Sequence, residues 1–366
     1  MRGYSLLFLS LLLVGLAALA GFTAAIDPFN HYRMHDAPWQ RFYPALQRYQ
    51  NPGLAKHASY DSIVTGSSLM ENFKNDQVDA ALGGRSLNLA QGAMTARELH
   101  ELLGTAYRAR AAGQTIRRIM VDLNFNAFSG PVDTTSGPLP GYLYDGNWFD
   151  DLHYLLAGGV ALKSLEIVTG KRWTHFTTNA AAPWYWGDGV SFSRATTVAG
   201  LDPGNINKTF RQPPRTLRGM QESFNANLLP LIEAHPETLF TLIYPPYSLL
   251  AWADFAQRGQ VEVTLEFKRW VFASVGSRDN VQLFDFQDEA ALIGNLDFYK
   301  DIYHYSPEIS RWMLRCIQRG ERRVSAVNLE AGLRHLAALA QDADPVRLIV
   351  AKTTGAAAAA FATPCD

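Results

Sequence analysis

The stretch that most constrains the fold covers residues 60–73, Y-D-S-I-V-T-G-S-S-L-M-E-N-F. Ile63 and Val64 are β-branched and fit a short buried strand. Gly66 breaks that strand, and Ser67 and Ser68 are good N-cap residues for a helix expected from Leu69 to about Leu82. A serine at such a turn sits at the carboxyl end of a strand, where open α/β sheets bind their ligands. The unpaired N–H groups of a helix start lie beside it and favour developing negative charge. The stretch therefore suits a nucleophile, and it equally suits an ordinary capped helix.

The same alternation continues downstream. Residues 86–90 read as a second strand ending at Gln91-Gly92, and 95–112 as a helix with Leu99, Leu102, Leu103 and Ala106 on one face. A third strand over 116–123, I-R-R-I-M-V-D-L, runs out into Asn124-Phe125-Asn126. The later elements are a helix over 217–234, a strand over 238–244 stopped by Pro245-Pro246, a helix over 261–275, a strand over 281–286, and helices over 307–319 and 329–341. Strands and helices in this rhythm predict a three-layer α/β/α sandwich with a mainly parallel five-stranded sheet over 60–345. Right-handed crossovers would bring Ser68, Gly92, Asn124 and the loop after the fifth strand to one rim.

Three segments break the rhythm. Residues 27–59 contain Pro28, Pro38, Pro44 and Pro52 among many aromatics, which predicts a wrapping segment without regular structure. Residues from about 129 to 215 are rich in Gly, Pro, Thr and Asn and read as an insertion with a helix near 148–165. The last residues, 346–366, with an alanine run at 356–360, read as a disordered tail without chemistry.

At the other end, Arg2 precedes an apolar run over residues 6–26 that only small residues and Ser10 interrupt. A membrane-spanning helix needs about 20 such residues. A positive charge before the run and Asp27 after it orient the chain outward. Ala18-Leu19-Ala20 resembles a signal-peptide cleavage site, but the run continues to Ile26, which favours an uncleaved anchor over residues 1–26. The body is then extracytoplasmic, and in a bacterial cell it is periplasmic, held at the inner membrane. A net charge of -1 over 366 residues excludes the basic balance of a nucleic-acid binder. The two cysteines, Cys316 and Cys365, exclude a disulfide framework.

The loop after the fifth strand reads Asn295-Leu296-Asp297-Phe298-Tyr299-Lys300-Asp301-Ile302-Tyr303-His304-Tyr305-Ser306. Asp301 and His304 form D-x-x-H. Serine hydrolysis needs an imidazole to take the hydroxyl proton and a carboxylate to hold that imidazole's tautomer. A three-residue offset lets the carboxylate fold back onto Nδ1. Asp297 is the alternative partner for His304, and Ser67 the alternative nucleophile. His100, His153 and His175 have no ligand spacing, and neither a metal nor another cofactor is expected. Trp184, Tyr185 and Trp186 can offer flat faces to sugar rings or can serve as packing.

The order of these blocks resembles the SGNH (GDSL-like) hydrolase superfamily. Gly66-Ser67-Ser68-Leu69 is similar to its first block, Gly92 in N-L-A-Q-G to the second, Asn124 in V-D-L-N-F-N to the third, and Asp301 with His304 to the last. Two departures stand out. Ser67 occupies the place of the name-giving Asp, and Asp122 replaces the Gly expected two residues before Asn124, which makes Asn126 an alternative to Asn124. The anchored layout resembles the branch containing alginate acetylation and DltD-like proteins.

The resemblance implies an SGNH/flavodoxin-like fold with Ser68 as nucleophile, His304 as general base and Asp301 orienting it. An oxyanion would be met by the Ser68 and Gly92 N–H groups and the Asn124 amide. The implied activity is that of an extracytoplasmic serine esterase or O-acyltransferase acting on acyl or acetyl esters. Its substrate would be an acylated glycan, another envelope component or a small ester, and a transferase would need a membrane O-acyltransferase partner. A non-catalytic polysaccharide-binding or assembly protein on the same fold is the alternative. An anion site at Gly66-Ser67-Ser68 lacks a Gly-rich phosphate loop. The catalytic reading requires the Ser68 hydroxyl and the His304 ring to meet within hydrogen-bond reach.

Overall fold

The computed structural model describes residues 2–36, 39–111, 113–206 and 214–350. In chain order these form α1 (Arg2–Ile26), α2 (Gln47–His57), β1 (Ser62–Thr65), α3 (Asn75–Leu82), β2 (Ser86–Asn88), α4 (Ala96–Arg108) and β3 (Arg118–Asp122). Next come α5 (Leu152–Leu155), α6 (Gly158–Thr169), α7 (Arg194–Val198), α8 (Leu217–Asn227) and α9 (Leu229–Ala234). The chain continues through β4 (Leu239–Tyr244), α10 (Leu249–Gln257), α11 (Val261–Val275), β5 (Val281–Asp285), α12 (Ala290–Ile293), α13 (Pro307–Arg319), α14 (Leu329–Asp342) and α15 (Pro345–Val350).

All five strands pair in parallel in the order β2-β1-β3-β4-β5. Ile63, Val64, Ile119, Met120, Val121, Leu242 and Ile243 are buried, the near-continuous apolar pattern of a sheet covered on both faces. The fold is thus the expected three-layer α/β/α sandwich. Helix α3 packs with α13, while α8 packs with α11, and α14 with α10 and α11. The chain leaves β1 toward β2 and leaves β3 toward β4, so the strand order reverses between β1 and β3. Ligand crevices of open α/β sheets lie at that switch point.

Several elements differ from the sequence expectation. No helix begins at Leu69: residues 67–72 form bends and turns and α3 starts at Asn75. The Asn88 side-chain amide braces these turns, donating to the Met70 and Phe73 carbonyls at 2.9 and 2.8 Å, and the Met70 carbonyl also accepts the Phe73 N–H at 3.2 Å. The helix expected over 217–234 is broken at Leu228 into α8 and α9, where Pro230 fits the first turn of α9. The insertion holds α5 and α6 rather than one helix over 148–165. Residues 346–350, the start of the expected tail, are helical in α15, and 351–366 lie outside the described residues.

The chain divides into two compact units. One comprises Met1–Ser59, Glu101–Gly113 and Gly137–Pro183, and the other Tyr60–His100, Gln114–Ser136 and Trp184–Asp366. The sheet lies wholly in the second. The first contains α1, in which Tyr4–Ile26 is long and apolar enough to cross a membrane, a property that a signal sequence shares. At the end of α1 the Asp27 carboxylate accepts the N–H groups of His31, Tyr32 and Arg33 and the Tyr154 hydroxyl.

Residues 27–59 are not irregular throughout, because 47–57 form α2 despite Pro52. Buried Gln50 bridges the Tyr43 N–H and the Arg41 carbonyl, which staples the helix to the chain before it. Gly53 then lets α2 rest directly on residues 29 and 30: a Cβ there would lie 2.4 Å from the Phe29 and Asn30 carbonyl oxygens. Gly53→Ala should destabilise this unit by about 3 kcal/mol, the upper range for forced overpacking, read as a lowered denaturation midpoint.

Candidate active site

Gly66 ends β1 with φ +123°, a conformation open to glycine, and a Cβ on it would lie 1.9 Å from Asp122 Oδ1 at the end of the adjacent β3. That absent side chain lets the Asp122 carboxylate reach the turn. It accepts the Ser67 N–H at 2.9 Å and the Ser67 hydroxyl at 2.5 Å. The Ser67 Oγ also accepts from the Leu69 N–H at 3.3 Å. Ser67 is consumed in holding the turn, and Ser68 projects from it, half-buried between buried neighbours.

The Ser68 Oγ lies 2.8 Å from His304 Nε2. On the other side of the ring, Nδ1 lies 2.9 and 2.8 Å from the two Asp301 carboxylate oxygens. An Nδ1–H shared with a carboxylate leaves Nε2 as the acceptor facing the serine hydroxyl. Asp301 Oδ1 also accepts the Tyr303 and His304 backbone N–H groups, both at 2.9 Å. Burial pushes the Asp301 carboxyl up, but the hydrogen bonds and charge of His304 together with these N–H groups hold it below its ordinary value. Asp297, the alternative partner, accepts the Arg194 N–H at the start of α7 instead.

The loop that carries Asp301 and His304 is pinned at several points. The Tyr305 hydroxyl donates to the Leu69 carbonyl at 2.8 Å, tying it to the serine turn. The Ser248 hydroxyl donates to the Ile302 carbonyl at 2.7 Å, the Tyr299 hydroxyl to Pro246 O at 3.1 Å, and the Thr197 hydroxyl to Tyr299 O at 2.7 Å. Each anchor is buried, so the core fixes the loop from which Asp301 holds the imidazole.

Asn124 follows β3 on the same rim. Its Oδ1 accepts the Asn126 N–H at 3.0 Å and the Tyr247 hydroxyl at 3.1 Å, which fixes the amide and leaves its NH2 end as a donor. Among the described residues neither that NH2 nor the Ser68 N–H has an acceptor in the protein, whereas the N–H groups of Ser67, Leu69 and Met70 each have one. Asn126 is otherwise engaged, its Oδ1 accepting Arg215 Nη2 at 2.8 Å. Gly92 sits in the turn after β2, followed by Ala93 at φ +55°.

The three consecutive aromatics separate. Trp184 is 1% exposed, its indole N–H bonded to the Asn88 carbonyl at 2.9 Å, so it cannot face a sugar: it is core. Tyr185 lines a cavity of about 450 Å³ near the start of α13. Trp186 touches the candidate machinery. Its indole N–H donates to the Ser68 carbonyl at 3.2 Å, and its ring meets that of His304 at 5.5 Å and 83°. The Lys300 ammonium lies 4.2 Å from the Trp186 ring centre. His100 bonds the Asn227 carbonyl and His153 that of Asp150. Among the described residues no three His, Cys, Asp or Glu side chains converge as metal ligands would.

Sequence reasoning missed Asp122, Tyr247, Tyr305 and Arg215 as supports. Asp122 alone left a signal, as a carboxylate at the end of an apolar strand. Its burial pushes the carboxyl from an ordinary value near 3.8 up to about 6, opposed by the Ser67 hydrogen bonds. The folded state therefore holds this proton more tightly than the unfolded chain. Stability from this group should be full below about pH 4 and lost as pH rises through about 6, a change of about 3 kcal/mol. Denaturant unfolding between pH 4 and 7 should show that slope, and Asp122→Asn should flatten it.

No family model, curated protein or solved structure matches the chain, so the chemistry of this rim rests on its geometry.

Proposed function

We propose that the protein is a serine ester hydrolase or O-acyltransferase of the SGNH type. The observation that carries this reading is the unbroken chain from Ser68 Oγ through His304 to Asp301, with links of 2.8 to 2.9 Å. The Ser68 hydroxyl attacks an ester carbonyl as His304 Nε2 takes its proton. The Ser68 N–H and the Asn124 NH2 are donors for the oxyanion, with the Gly92 N–H from the neighbouring turn. As the tetrahedral species collapses, His304 returns the proton to the departing alkoxide and the acyl group stays on Ser68. A water molecule or a sugar hydroxyl then gives its proton to His304 and attacks the acyl-serine; as the acyl–Oγ bond breaks, His304 returns that proton to Ser68 Oγ, and the acid or new ester departs.

The substrate we favour is an acylated glycan or another envelope component, met outside the cytoplasm, periplasmic in a bacterial cell, by a body that α1 anchors. If a sugar hydroxyl is the acceptor, an acyl donor is required, and a membrane O-acyltransferase is the partner of fitting chemistry. Tyr185 and Trp186 remain the aromatics for a sugar face. A non-catalytic polysaccharide-binding or assembly role on the same scaffold is the second reading. It is disfavoured because a non-catalytic site has no use for the Ser68–His304–Asp301 alignment.

A fluorophosphonate probe, which needs an activated serine, separates the two readings. The whole chain in detergent should be labelled at Ser68, and Ser68→Ala should lose both labelling and p-nitrophenyl acetate turnover. Asn124→Ala should keep its fold and lower kcat by about 10²–10³-fold, as for removal of one oxyanion donor. Unlabelled wild-type protein, or turnover by Ser68→Ala near the wild-type rate, would exclude the serine mechanism.

A further inference from the structure

Helix α6 is built inside out for a surface helix. Its two charged side chains turn inward: Glu166 is 1% exposed and accepts from the Trp173 and Thr174 N–H groups, and Lys163 lies 3.7 Å from it over the Tyr43 ring. Its outward face carries Leu162, Leu165 and Val168, each between 41% and 57% exposed, with no charge among them. Trp148 and Phe149 precede this face at 79% and 92% exposed, and Trp173 follows it. An ordinary amphipathic helix in water has the opposite polarity.

Helix α1 indicates what covers that face. It packs on α5 and α6, and its side chains become covered only from Leu19 onward, Tyr4 to Ala18 being exposed. At 1.5 Å per residue that exposed part reaches about 22 Å, whereas a hydrocarbon core is about 30 Å thick. A bilayer crossed by α1 therefore extends about five residues beyond Ala18, to the depth at which α6 packs.

We propose that residues 148–173 are a second membrane contact, in which α6 and the aromatics before it lie in the leaflet nearest Ile26. Leu162, Leu165 and Val168 enter the acyl region, Trp148 and Trp173 sit at the headgroup level, and Lys171 and Arg172 meet lipid phosphates. The proposal rests on α1 persisting as a span and not on the ester chemistry.

The test uses the whole chain in vesicles of phosphatidylcholine and phosphatidylglycerol carrying a photoactivatable group on the acyl chain, with adducts mapped by mass spectrometry. Adducts should fall on 4–26 and on 148–173, and not on Val327, an apolar side chain that is also exposed. The double variant Leu162→Glu, Leu165→Glu should reduce the 148–173 adducts at least tenfold and leave those on 4–26 unchanged. Circular dichroism melting should match wild type, since both positions are exposed. Adducts confined to 4–26 would overturn the second contact and keep the anchor. Release of the chain by alkaline carbonate with no adducts anywhere would overturn both. A concentration-dependent dimer in detergent that the double variant dissolves would assign the face to a second copy and overturn the proposal.

Discussion

The candidate site depends on one close approach, that of the Asp122 carboxylate to the Gly66–Ser67 turn. Two neighbouring parallel strands end side by side, and the space a Cβ would fill at Gly66 is occupied by a carboxylate oxygen. That oxygen pair takes both donors of Ser67, so the following residue is the one presented at the rim. A buried carboxylate is costly unless its hydrogen-bonding capacity is met. Here that cost is placed directly beneath a serine that faces an imidazole, which makes little sense for a turn whose only task is to connect β1 to α3.

The second half of the site arrives from 236 residues away and is held by equally indirect means. Tyr305 joins the loop to the serine turn, and Ser248, Tyr299 and Thr197 join it to segments after β4 and around α7. Trp186 closes the arrangement by bonding the carbonyl of Ser68 while lying edge to face with His304. The position of the loop is thus a property of the core. Within that frame Asp301 holds Nδ1 of the ring through both carboxylate oxygens.

Legibility in the sequence followed the range of the interactions. The β-branched runs at 62–65, 118–122 and 239–244 announced parallel strands because strands buried on both faces are apolar throughout. D-x-x-H was legible because its offset closes a local hydrogen bond, and α4 was legible from the periodicity of Leu99, Leu102, Leu103 and Ala106, all buried. What could not be read was decided at long range. Asn88 braces turns in a segment with good helix-forming residues, donating to two of its carbonyls. Gln50 stabilises a helix in a proline-rich stretch. Trp184 and Trp186, two positions apart, divide between the core and the candidate site because one indole finds Asn88 and the other Ser68. No local pattern distinguishes the two.

The delayed start of α3 has a consequence for the electrostatics of the rim. A helix beginning at Leu69 would have aimed its terminal N–H groups and its dipole at Ser68, but the effect of a helix end falls off within one turn. With α3 starting at Asn75, that contribution is largely removed, and the intervening turns spend the Leu69 and Met70 N–H groups on Ser67. Negative charge at the serine must then be met by discrete donors. The Ser68 N–H is one, and the Asn124 NH2, oriented by Tyr247 and the Asn126 N–H, is the side chain best prepared to be another. Asn88 braces those turns without touching the site, through the Met70 and Phe73 carbonyls, and the burden falls on an amide two strands away in the sheet.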